Sequence, residues 1–265
     1  MEVHHHPKVE KRNFKEYLLE GLMIFIAVML GFFAESLREH ISDKSKEREY
    51  ISSFKKDLAA DTTNINTFIL GFSNRILEFD TLIHMLQHPV NVPNGSEIYY
   101  LARLATRGTV FGDINNTLSQ LSSSGNFHLI SSREVADNIV IYENHIENFK
   151  EVHDIDTREQ LSLYPYLGAV FNAFVFDSMM ITATDTSADP NNLQLAHGFR
   201  SAIQRPHGNP QLINTNAEAI NSLVNVLHQR KGTFVAESRL LYEQKKQAKK
   251  LIELINKEYH LSSDN

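Results

Sequence analysis

Residues Gly21 to Ala34, GLMIFIAVMLGFFA, carry no charge, and Glu20 and Glu35 close the run at its two ends. A hydrocarbon core of roughly 30 Å needs about 20 residues of helix. Tyr17, Leu18 and Leu19 on one side and Leu37 on the other extend the run to Tyr17–Leu37. Each glutamate then lies near an end of the span, where its side chain reaches the headgroups. The segment starts some way after Met1, lacks a small-residue cleavage site and runs into a charged stretch, so it reads as a single membrane span rather than a cleaved signal peptide or a soluble core helix.

Helical geometry divides the span into two faces. At 100° per residue, Glu20, Ile24, Ala27, Gly31, Ala34 and Glu35 share a wedge of about 100°, opposite the bulky Leu22, Phe25, Met29, Phe32 and Phe33. Ala27 and Gly31 form a small-xxx-small pair, which lets two helix backbones approach closely in lipid. The wedge is therefore expected to associate with copies of itself; the alternative is that each glutamate snorkels to its own interface. The flanking cations, Lys8, Lys11, Arg12 and Lys15 against Arg38, Lys44, Lys46 and Arg48, are evenly matched. A short N-terminal flank ahead of a large domain favours a C-terminal domain outside the cytoplasm, in the periplasm of a bacterial inner-membrane protein.

After the span, proline is absent between Pro7 and Pro89, and Gly71 is the one glycine between Gly31 and Gly95. Glu35 to Gln87 thus reads as one helix, or two with a soft break. Its apolar seam is Ile51, Phe54, Leu58, Ile65, Phe68, Phe72, Ile76, Phe79, Ile83 and Leu86. Glu97 to Thr106 reads as a short helix. A further helix begins after the capping-box spacing Ser131-x-x-Glu134, continues through Val135, Ile139, Tyr142, Ile146 and Phe149, and reaches about Gln160. The apolar stretch Leu161 to Met180 contains Pro165 and Asp177 and is expected to be a buried bundle helix rather than a second span. A loop-rich insertion follows, and Thr215 onward reads as the last long helix. Its expected seam is Ile220, Val224, Leu227, Lys231, Phe234, Ser238, Leu241, Lys245, Ala248, Ile252, Ile255 and Tyr259. The chain accordingly divides into a polar tail (1–16), a transmembrane helix (17–37), a charged helical stalk (38–50), a helical-bundle domain (51–260) and a short tail (261–265). The fold class is all-α: the transmembrane helix continues into an extended, mostly antiparallel bundle with coiled-coil-like packing.

Residues Glu16–Thr62 resemble the opening of a family of uncharacterised bacterial single-span membrane proteins. Tyr17–Glu20, Gly31–Glu39, Lys46–Ser53 and Asp57–Thr62 carry the similarity, and Leu121–Glu143 is similar to a second block of that family. The resemblance implies a topology and a bacterial origin. It implies no activity, because the family has none established.

The chemistry-bearing residues form no enzyme motif. With no cysteine, thiolate ligands, disulfides and cysteine nucleophiles are excluded. No phosphate-cradling glycine loop, nucleophile elbow or zincin motif occurs. His84 and His88 have the spacing for one helix face, and His4 to His6 form a run near the start, but neither supplies a complete ligand set. Glu143, Glu147 and Glu151, with His145 and His153 nearby, read as a solvated face. Ser122, Ser123, Ser124 and Gly125 form a candidate ligand corner that also suits a helix stop and cap. No metal or cofactor is assigned. A net charge of −6 argues against a nucleic-acid partner. The expected partners are the lipid bilayer, further copies of the chain and a membrane protein. The expected role is self-associating scaffold or interaction component of the envelope, with an extracytoplasmic ligand-sensing bundle as the alternative and an oligomeric ion pathway through Glu20 and Glu35 as a weaker one.

Overall fold

The computed structural model describes residues 14–108, 125–181 and 202–261. They belong to two compact units, Met1–Ile51 and Ser52–Asn265. Helix α1 covers Phe14–Leu86 without interruption, so Gly71 makes no break. There follow α2 (Gly95–Ala105), a 3-10 turn (Asn126–Leu129), α3 (Arg133–Ser162), α4 (Tyr164–Val170), α5 (Ala173–Ser178) and α6 (Ala217–Tyr259). The described residues are helical apart from loops and one antiparallel pairing of two-residue strands, β1 (Met180–Ile181) with β2 (Ala202–Ile203).

In the first unit, every described residue from Phe14 to His40 is exposed. Its large apolar side chains include Phe14 at 81%, Phe32 at 70% and Phe33 at 69% exposure. Among the described residues, α1 is the one helix long and apolar enough to cross a membrane.

The second unit is a bundle of the later part of α1 with α3 and α6. Asp61 meets Tyr142 and Phe72 stacks on Phe149, so α1 and α3 run in the same direction. Asn66 meets Lys245 and Asp80 meets Lys231, so α6 runs antiparallel to α1. Asn138 with Gln247 and Asp156 with Arg230 give the same sense between α3 and α6. Phe72, Phe79, Phe149 and Phe234 fill the middle, with Phe72 and Phe234 edge to face at 5.4 Å.

The heptad seams are sharper than the apolar pattern alone predicts. On α1 the buried positions are Glu47, Ile51, Phe54, Leu58, Asp61, Ile65, Phe72, Arg75, Phe79, Leu82, Ile83 and Leu86, so Asp61 and Arg75 occupy seam sites; Phe68 and Ile76 are only partly buried. On α6 the expected Ile220, Leu227, Phe234, Leu241, Ala248 and Ile255 are buried, but the intervening sites fall one residue earlier. Leu223, Arg230, Glu237, Gln244 and Leu251 point inward. Lys231 and Lys245 instead flank the seam, where they reach Asp80 and Asn66 on α1.

Three local expectations change. The cap of α3 is Ser132, whose side chain accepts from the Val135 amide at 3.4 Å, one residue after the Ser131 of the capping-box spacing. Leu161 to Met180 is not one buried helix: Pro165 opens α4, and extended backbone at Phe171 and Asn172 separates it from α5. Leu163, Leu167, Val170, Phe171 and Met179 are buried, whereas Phe174 stands 85% exposed. The His84–His88 pair does not share a helix face, because α1 ends at Leu86.

Helix α2 is anchored at its start by a close backbone approach. Asn94 caps it, accepting from the Glu97 amide at 3.0 Å. The Gly95 amide donates to Asn209, and a Cβ at Gly95 would run into the Pro210 carbonyl oxygen. Tyr99 then ties three segments together: its hydroxyl donates to the Gln211 carbonyl at 3.1 Å and accepts from the Asn172 amide at 2.9 Å.

Candidate functional site

Polar residues on the three seams converge at the C-terminal end of α2. A helix leaves its last carbonyls without intrahelical donors, and buried carbonyls need partners. Arg75 of α1 donates to the Leu104 carbonyl at 3.1 Å. Arg230 of α6 donates to the carbonyls of Ala105 and, at 3.2 Å, Arg107. Gln160 of α3 donates to the Thr106 carbonyl at 2.9 Å. Four consecutive carbonyls are thus each satisfied by a side chain from a long helix, and the two guanidinium charges sit at the negative end of the helix dipole.

Both arginines have carboxylate partners. Arg230 Nε lies 2.9 Å from Asp156 Oδ1 and its Nη2 lies 3.3 Å from Oδ2, with both side chains 1% exposed. Arg75 pairs with Glu78 at 2.9 Å. Burial pulls the Arg75 guanidinium below the ordinary arginine range, and the Glu78 charge partly restores it.

About one helical turn from Asp156 along α3, His153 Nδ1 lies 2.8 Å from Glu237 Oε1. Glu237 is fully buried, and its other oxygen, Oε2, has no hydrogen-bond partner among the described residues. Burial pushes the Glu237 carboxyl upward, opposed by the contact with His153. The Phe149 ring lies parallel to the imidazole, with centroids 5.7 Å apart. His153, Asp156 and Glu237 each present a ligand-type atom, all within 4.8 Å of one another.

A third polar group lies another heptad along α6, roughly 10 Å further by helical rise. Tyr142 donates to Asp61 Oδ2 at 2.6 Å, and the Gln244 side chain bonds to the Tyr142 hydroxyl. Asp61 Oδ1 and Gln244 Oε1 are buried without hydrogen-bond partners among the described residues. Burial raises the Asp61 carboxyl to about 6, with the Asp57 charge adding and the Tyr142 hydrogen bond opposing. Arg230, Glu237 and Gln244 therefore form a ladder with a seven-residue step, each rung meeting polar groups on another helix.

The residues expected to matter from sequence fall elsewhere. Glu20, Ile24, Ala27, Gly31, Ala34 and Glu35 lie on one uninterrupted helix and are all exposed. Among the described residues nothing lies within 4 Å of a Cβ built at Gly31. The Glu35 carboxylate is held by a fork from Arg38 one turn on. Ser122, Ser123 and Ser124 lie outside the described residues, while Gly125 adopts φ 69°, suited to a stop before the 3-10 turn. Of the acidic stripe, Glu147 and Glu151 are exposed, but His153 turns into the core. The chain matches no family model, no curated protein and no solved structure, so the functional reading rests on its residues and their geometry.

Proposed function

We propose that this chain is a single-pass membrane protein of the bacterial envelope whose bundle serves as an interaction scaffold. The observation that carries the reading is the apolar opening of α1, whose large apolar side chains are continuously exposed from Phe14 to Leu37, whereas those exposed after Ser52 are scattered around a buried core. An exposed apolar helix of this length is costly in water and suits lipid. Self-association runs through the wedge of Ala27 and Gly31, which no other described residue covers. The bundle domain lies in the periplasm, and lipid and further copies of the chain are the partners. The scaffold acts by binding, without catalysis.

Native mass spectrometry of detergent-solubilised protein tests this reading. A defined oligomer is expected; a strict monomer across detergents overturns self-association.

A further inference from the structure

We infer that His153, Asp156 and Glu237 form a binding site for one first-row divalent cation of the zinc or manganese class. One imidazole nitrogen and two carboxylates are a donor set that such ions accept, whereas calcium and magnesium prefer all-oxygen shells. The donor atoms lie within 4.8 Å of one another. With metal–ligand distances of about 2.0–2.2 Å, an ion among these atoms calls for small side-chain adjustments around it.

The surroundings fit a bound ion better than a self-sufficient ion-pair network. Asp156 and Arg230 satisfy one another, and His153 satisfies one oxygen of Glu237. Glu237 Oε2 remains: a buried oxygen with no donor among the described residues, on the carboxylate that shares the cluster with the imidazole and Asp156. An isolated buried acceptor of this kind is costly, and a cation would satisfy it. Arg230 orients Asp156 through two hydrogen bonds, as partners outside the coordination shell commonly do for metal ligands. Phe149 packs along His153 and fixes its ring plane. His153 is 20% exposed, so water has access to complete the coordination shell. The site is separate from the apolar part of α1 and does not depend on the membrane reading.

The experiment uses the full chain purified in detergent, with His4, His5 and His6 replaced by alanine throughout because a three-histidine run captures zinc by itself. Zinc titration calorimetry and thermal melts are compared between this parent, Glu237→Gln, His153→Gln and the double variant His84→Ala/His88→Ala. One zinc per chain is expected, with a zinc-dependent rise in Tm. Glu237→Gln and His153→Gln should each weaken binding by at least about tenfold and remove the Tm rise. The double variant should bind like the parent. Absence of stoichiometric binding in the parent, or parent-like affinity in either ligand variant, overturns the site. Should Glu237→Gln fail to fold, His153→Gln, at a partly exposed position, decides the matter alone.

Discussion

Arg230 holds Asp156 with Nε and Nη2 while the same guanidinium donates to the carbonyls of Ala105 and Arg107. One buried side chain thus neutralises a carboxylate on α3 and closes the end of α2. The two tasks predict unequal mutational costs. Arg230→Met leaves a buried charge and two carbonyls without donors, and should destabilise the protein by about 3–5 kcal/mol. Asp156→Asn keeps a hydrogen-bonding side chain and leaves the α2 carbonyls capped, so its cost should be smaller. Adding Asp156→Leu to Arg230→Met should recover only part of the loss, because the carbonyls stay orphaned. Urea unfolding of the four proteins in detergent, followed by circular dichroism, measures the three costs.

Asp61 predicts a pH dependence. Its carboxyl is raised to about 6 in the fold, largely by burial, above its ordinary value of 3.8. The native state therefore favours the protonated form, and the associated stability is full below the unfolded pKa and lost as pH rises through the folded one. Lowering the pH from 7.5 to 5.0 should raise the unfolding free energy by about 1 kcal/mol through this group. Asp61→Asn should abolish that part of the pH dependence. A slope that persists unchanged in the variant assigns it to other groups.

Gly95 sits where α2 meets the 209–210 backbone, with no room for a Cβ beside the Pro210 carbonyl. Gly95→Ala should cost about 1–3 kcal/mol by overpacking. Gly71→Ala, where no described residue lies within 4 Å of the added atom, should be neutral or slightly stabilising. Thermal melts of the two variants make the comparison.

The open face of the apolar helix makes a prediction in detergent. Gly31→Leu should shift the protein from its oligomer towards monomer, whereas Phe33→Leu, on the opposite face, should not. Chemical cross-linking followed by gel electrophoresis reads the difference.

The helices were legible in the sequence where apolar spacing is unambiguous. Ile220, Leu227, Phe234, Leu241, Ala248 and Ile255 repeat every seven residues and all are buried. The second seam of α6 was not, for a physical reason. Leu223 and Val224 are both apolar, as are Leu251 and Ile252, so hydrophobicity does not choose between a three-four and a four-three step. Between those ends both registers carry polar residues: Arg230 or Lys231, Glu237 or Ser238, Gln244 or Lys245. Partners on α2 and α3 decide the register, and those contacts are long-range. The same applies to His153, which sits among Glu147 and Glu151 in sequence but continues the seam of Tyr142, Ile146 and Phe149 by a four-residue step. The one available signal was periodicity: charged residues at seam positions on three helices at once. The two-helix break at Phe171 lay hidden because its apolar composition suits either one helix or two.

Sedimentation after alkaline carbonate extraction tests membrane insertion most directly. Expressed in a bacterial host, the full chain should remain in the membrane pellet at high pH and enter the soluble fraction only with detergent. Its appearance in the supernatant of detergent-free, carbonate-washed membranes would contradict insertion of the Tyr17–Leu37 segment and, with it, the tethered-bundle account.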